Sequence, residues 1–341
     1  MLLKETLKFS FLNRLFHTRS LRVLILFLTA ASFYFITSSF FPLWVLLLGP
    51  VLFGVPHLIS SLRYSSLPFI EKARKKLLLL QFSLWALVFC YRIAADVFQQ
   101  PVFLREYPLL FESLCLLVSF LFQVSLFRKI SAKLVFSSLA FSVLLVATFF
   151  YPIQTALTAL IGHNYLPLIA WYKSCQDRAD RTVFAVSAFI YLFLTVIIFS
   201  GGTDFLYTLY TPVGTIGFLN WDYSEIVLPF VSGEFDYQFW FHVVVLYAFS
   251  QAIHYFIWMK AIPENYQKQQ HPPSFQWTFN RLSSEFGSAS VFLILILSGL
   301  VFLGWFFLEF QTARLVYFSI ASYHGFMEIS AIPFLLSNRK D

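Results

Sequence analysis

Five of the seven histidines lie inside apolar stretches: His57, His163, His242, His254 and His324. Neutral imidazole is a ligand for iron, zinc, copper and nickel, so several imidazoles held together in an apolar interior would form a metal site. Each ring also needs a partner for the nitrogen that does not ligate. Candidates stand nearby: Ser60 and Ser61 follow His57, Asn164 adjoins His163, and Ser250 and Gln251 lie within a turn of His254. Glu328 follows His324 by four residues, which on a helix puts both on one face. It is the candidate catalytic carboxylate, able to orient a ligand or to serve as a fifth one. His242 precedes His254 by twelve residues. Twelve steps of about 100° leave the two rings about 120° apart around a helix, so His242 is set aside from the group. His17 and His271 sit in polar segments and read as solvated.

The elements that position these rings follow from composition. Of 341 residues, 59% are hydrophobic, only 12% are charged and 45 are Phe. A soluble domain carries about 25% charged residues. Apolar runs of about 20 residues match bilayer-spanning helices. Ten are expected, at 21–40, 42–62, 77–97, 108–127, 134–151, 153–173, 183–200, 238–259, 289–309 and 314–336. The fold class is therefore all-α, a polytopic membrane helical bundle over residues 1–341. Residues 1–20 form a basic tail, 201–237 an acidic outer loop and 260–288 a polar linker.

The net charge of +7 is a topology signal. Of the 24 Lys and Arg, 21 fall on segments of one side, beginning with Lys4, Lys8 and Arg14 and ending with Arg339 and Lys340. The loop 201–237 has Asp204, Asp222, Glu225, Glu234 and Asp236 and no basic residue. Positive segments stay in the cytoplasm, which places both termini there and the protein in the cytoplasmic membrane. No basic stripe suited to nucleic acid remains. Arg92 with Asp96, and Glu112 with Arg105, read as structural pairs.

With this topology His57, His163, His254 and His324 fall on spans two, six, eight and ten, all running inward. They precede Arg63, Lys173, Lys260 and Arg339 by six, ten, six and fifteen residues. At about 1.5 Å per residue their depths are about 9 to 22 Å from the cytoplasmic ends. Span two is interrupted by Gly49-Pro50 and Gly54-Val55-Pro56 just before His57. Proline removes a backbone donor, and in lipid the freed groups must find partners inside the protein or in a wet cavity.

Several chemistries lack their parts. There is no HExxH box, no glycine-rich phosphate loop and no GxSxG elbow. The three cysteines show no metal or redox spacing.

The Gly54-Val55-Pro56-His57 stretch resembles the G-x-P-H motif of the Brp/Blh-type membrane β-carotene 15,15′-dioxygenases. That resemblance implies a polytopic fold, a non-haem iron held by intramembrane histidines including His57, and oxidative cleavage of a carotenoid by O₂. The chain differs where that family has a glycine and then an aspartate, here Leu58 and serines. It also lacks the family's histidine pair one turn apart, since Ser250 and Trp258 flank His254. A wider pattern, GVPH…HN…HY…PE…HG, is similar to that of bacterial polytopic membrane proteins. The leading expectation is a non-haem Fe(II) oxygenase acting on a carotenoid-, quinone- or acyl-chain-like substrate, with His57, His163, His254 and His324 as ligands. The alternatives are a proton-coupled transporter, to which Pro56, Pro167 and Gly201-Gly202 would lend broken helices, and a haem b protein with paired histidine ligands.

Overall fold

The computed structural model describes residues 18–65, 74–97, 108–125, 132–205, 215–216, 221–222 and 237–266, with single positions from 280 to 304 and residues 324, 325 and 327–329. The protein is helical throughout these segments, apart from a two-residue antiparallel ladder of β1 (Thr215–Ile216) and β2 (Trp221–Asp222). The helices are α1 (Arg19–Phe40), α2 (Pro42–Ser65), α3 (Arg74–Arg92) and α4 (Pro108–Ser125). They continue with α5 (Ala132–Phe150), α6 (Pro152–Gly162), α7 (Pro167–Ser174) and α8 (Arg178–Phe199). α9 (Tyr237–Phe256) and the short α10 (Ile262–Tyr266) complete the series. Thus the first eight expected apolar runs are helical. The runs at 289–309 and 314–336 lie almost entirely outside the described residues, as do most of the acidic loop and the basic tail.

Local chemistry sets several boundaries. The Asp177 side chain accepts from the Asp180 backbone N–H at 2.8 Å and caps the start of α8. The same helix ends with Gly201 N–H bonded to Ile198 O and Gly202 N–H to Ile197 O. Gly201 has φ +79°, the left-handed conformation this termination needs. Pro50 lies inside α2, whose halves Pro42–Pro50 and Leu52–Ser61 meet at 51°. The missing N–H and the ring's clash with the preceding turn account for the bend. α6 gives way to a 3₁₀ turn over His163–Tyr165, and Pro167 restarts the helix as α7. α9 runs into a π-helical turn over Ile257–Ala261, whose Trp258 carbonyl accepts the Ser60 hydroxyl of α2.

The described helices are apolar outside as well as inside. α5 exposes Val135, Phe136, Leu139, Val143, Val146 and Phe149. α4 exposes Leu114, Val118 and Leu121 while burying Glu112, Ser119 and Gln123. The buried polar groups find each other: Gln81 and Gln123 both donate to Ser119 Oγ, at 2.7 and 3.1 Å. An exterior this apolar marks a surface that meets something other than water. Among the described residues, three helical stretches are long and apolar enough to cross a bilayer: Arg19–Phe40, Arg178–Phe199 and Phe241–Tyr266. The bent pair in α2 adds a fourth when counted as one span.

Two apolar clusters make the core of the described residues. The larger surrounds α9, which packs against α1, α2 and α8 and carries the buried Phe249 and Ile253. The smaller joins α3, α4 and α5 through Val88, Leu116, Phe120 and Phe141 and takes in Met327.

At the end of the bundle carrying Arg19 and Tyr266, ion pairs close the larger cluster. Arg22 meets Glu264 at 2.6 Å, and Lys260 meets the other carboxylate oxygen at 2.8 Å. Arg19 and Ser20 bind Asp180, and Asn265 donates to Ser174 Oγ at 3.0 Å. The expected linker 260–288 lies mostly outside the described residues after Tyr266. Its first residues are helical, and Glu264 and Asn265 are buried, because these pairs hold them against α1 and α7. Burial, reinforced by the nearby Asp180 carboxylate, pushes the Cys175 thiol up to about 12, so it stays protonated at neutral pH.

Arg92 on α3 and Glu112 on α4 are expected in separate pairs. Arg92 meets Glu112 across the two helices at 2.7 Å. Arg105 and the Asp96 side chain lie outside the described residues.

Candidate functional site

The bend in α2 turns its second half toward α9, and His57 lies on the inner side with 3% exposure. Its Nδ1 donates to the Phe53 carbonyl one turn back, at 3.0 Å. That bond fixes the tautomer and leaves Nε2 with a free lone pair. His163 repeats the device: its Nδ1 donates to the Ala159 carbonyl at 3.0 Å. His254 is carried by the last turn of α9, just before the π-helical turn, with 1% exposure. Such turns recur beside functional residues because the inserted residue re-aims neighbouring side chains. His324 is buried to 4% and Glu328 to 1%, and both are helical. Met327, between them, packs into the smaller apolar cluster. This stretch therefore ties the two clusters together and presents its polar face to the histidines.

One nitrogen from each of His57, His254 and His324 lies within 4.8 Å of the other two. His57 Nε2 and His324 Nε2 approach to 3.1 Å. Ring centroids are 4.7 Å apart for that pair, 5.3 Å for His57 and His254, and 5.9 Å for His254 and His324. Glu328 Oε1 lies 3.0 Å from His324 Nε2 and 3.6 Å from His254 Nε2, and accepts the Ser61 hydroxyl at 2.6 Å. His163 stands beside this group and outside the three-nitrogen cluster. Its half-buried ring is centred 5.2 Å from that of His254 and 6.3 Å from that of His324.

The expected orienting partners are partly rearranged. Ser61 acts through Glu328, whereas Ser60 holds the π-helical turn. Asn164 Nδ2 donates to Ser250 Oγ at 3.0 Å, so these two residues join the 3₁₀ turn to α9. Gln251 donates to Tyr247 Oη at 3.4 Å. Neither ring nitrogen of His254 has a hydrogen-bond partner among the described residues.

His242 belongs to a separate group. Its Nε2 meets Asp204 Oδ1 at 2.6 Å, and Gln238 donates to Oδ2 of the same carboxylate at 2.6 Å.

Two contributors had escaped the sequence reading. Tyr255 packs its ring 4.3 Å from His57, and Gly49 leaves room for it, since a Cβ there would come within 3.2 Å of the Tyr255 ring. Gly325 lies under His163, where a Cβ would stand 3.3 Å from the ring's Cγ. A Gly-Pro or His-Gly dipeptide shows a backbone irregularity but not the ring that fills the space. Gly325→Val is expected to cost about 1–3 kcal/mol by overpacking this contact. It should lower the unfolding midpoint of the detergent-solubilised protein, with Gly325→Ala falling between it and the unchanged chain.

Chemically, the arrangement offers three buried imidazoles and one buried carboxylate at a point enclosed by apolar helices. No protein-family model, no curated protein and no solved structure matches this chain.

Proposed function

We propose that the chain is a multi-pass protein of the cytoplasmic membrane that binds one non-haem iron(II) through His57, His254 and His324. In this reading it oxidises a lipophilic substrate, with O₂ as oxidant and the substrate supplying the electrons. About ten spans with both termini in the cytoplasm follow from the apolar runs and the one-sided positive charge. The observation that carries the reading is the meeting of three buried imidazole nitrogens within 4.8 Å. Soluble or membrane-embedded, a protein buries such polar atoms together only where they find partners, and a transition metal satisfies all three at once. His163 lines the same space with its Nδ1 already bonded, and iron held by the three histidines would supply the chemistry of O₂ activation there. The apolar surroundings favour a carotenoid-, quinone- or acyl-chain-like substrate.

His57 and His324 do not suit the two opposite faces of one haem. Iron ligated on opposite faces separates the two nitrogens by about 4 Å, at roughly 2 Å per bond. His57 and His324 stand 3.1 Å apart. The transporter reading draws on the 51° bend in α2.

Metal analysis of protein purified in detergent without oxygen should find about one iron per chain. Absence of any stoichiometric transition metal overturns the proposal, and pH-dependent solute uptake into proteoliposomes by the same preparation would replace it with transport.

A further inference from the structure

The carboxylate of Glu328 poses a problem that the three histidines leave unsolved. It is buried to 1% exposure, and Oε2 has no hydrogen-bond partner among the described residues. Its contacts are a hydroxyl and two imidazoles, the His163 ring is also within its electrostatic reach, and no Lys or Arg of the described residues pairs with it. A carboxylate taken out of water without a counter-charge is costly.

Hydrogen bonds alone do not settle the group. His57 has committed its Nδ1 hydrogen to Phe53 O, so its Nε2 is an acceptor. His324 Nε2 is 3.1 Å from that acceptor and 3.0 Å from Glu328 Oε1. One N–H serves one of them well. His254 Nε2 gains nothing, since it lies 3.6 Å from Oε1.

A cation meets all four lone pairs, and the spacing indicates its geometry. Two metal bonds of about 2.1 Å enclosing 90° place their donor atoms about 3.0 Å apart, whereas the tetrahedral angle places them about 3.4 Å apart. The two shortest edges of the group, 3.1 and 3.0 Å, match the first, while the edge from His254 Nε2 to Glu328 Oε1 is longer, at 3.6 Å.

Resting on the iron-site reading above, we infer that Glu328 is itself a metal ligand through Oε1. The site is then three imidazoles and one carboxylate in an octahedral frame, with His163 outside it. Ser61 is a positioning residue: its hydroxyl holds Oε1 toward the metal. Four protein donors leave two of six positions for exogenous ligands. A mixed nitrogen and oxygen set of this kind suits iron(II) or manganese(II).

Cobalt(II) reports on this directly. The full-length protein in detergent is stripped with a chelator and titrated with cobalt(II) without oxygen, and its visible spectrum is recorded. The unchanged chain should give the weak bands of six-coordinate cobalt. Glu328→Gln should lower cobalt affinity at least about tenfold and shift the bands, and Ser61→Ala should weaken binding by a smaller factor. His163→Ala should leave the bands in place.

Intense four-coordinate bands in the unchanged chain overturn the inference. So does a Glu328→Gln protein with unaltered affinity and spectrum while His254→Ala loses cobalt; the iron-site reading then survives. If the unchanged chain binds neither iron nor cobalt, both fall. Should Glu328→Gln not fold, the cobalt affinity of Ser61→Ala decides, and an unchanged value overturns the inference.

Discussion

His254→Ala should reduce the bound transition metal at least about tenfold, since losing a ligand costs no less than losing one of the groups that orient a ligand. The ring is at the centre of the site, buried to 1% and within reach of His57, His324 and Glu328. The substitution also separates two accounts of why it is there. Neither ring nitrogen is hydrogen-bonded among the described residues. If nothing occupied the site, truncation would remove unpartnered polar atoms and cost only packing. If a metal binds, its binding free energy is part of the folding free energy, and truncation forfeits both. The unchanged protein is therefore expected to melt at a markedly higher temperature with metal than after chelation. His254→Ala should melt at one temperature in both conditions. Metal analysis and paired thermal melts in detergent check the two halves of this expectation. A variant that keeps its metal would remove His254 from the site.

Arg22→Met should destabilise the bundle by about 3 kcal/mol, the low end of what breaking a buried ion pair costs. Arg22 and Glu264 are 6% and 2% exposed and meet at 2.6 Å, joining α1 to α10. Removing the guanidinium leaves the carboxylate with Lys260, which is one-third exposed and so better solvated. The penalty arises from the stranded charge more than from the lost attraction. For that reason the double variant Arg22→Met with Glu264→Gln should recover most of the stability. Thermal or denaturant unfolding of the three variants in one detergent tests this. A double variant no better than the single would show that the contact matters through shape. Metal content should be unaffected throughout, since neither residue is among the groups that meet at His57, His254 and His324.

Much of the architecture was legible because its determinants are local. Each apolar run of about 20 residues specifies a helix without reference to the others. The Gly49-Pro50 irregularity was visible for the same reason, whereas Pro56 and His57 sit inside the continuous second half of α2. So was the separation of His242 from His254, which follows from twelve steps along one helix. The pairing of buried charges was less legible. Arg92 found Glu112 on the adjacent helix and Glu264 found Arg22, because a charge in an apolar interior takes the nearest opposite charge in space.

What the sequence alone determined, then, was the helical character of the chain, its apolar exterior and the supply of interior histidines. Hydropathy and helical period are properties of short windows, so they survive without knowledge of packing. Tertiary structure decided which histidines meet and what stands among them. His57 and His324 are 267 positions apart, as are Ser61 and Glu328. Their meeting depends on the bend of α2, the π-helical turn after His254 and the placement of Gly325 beneath the His163 ring. A few degrees in any of these elements moves a ring nitrogen by an ångström. No window of sequence encodes that distance, because it is set by how separate helices pack.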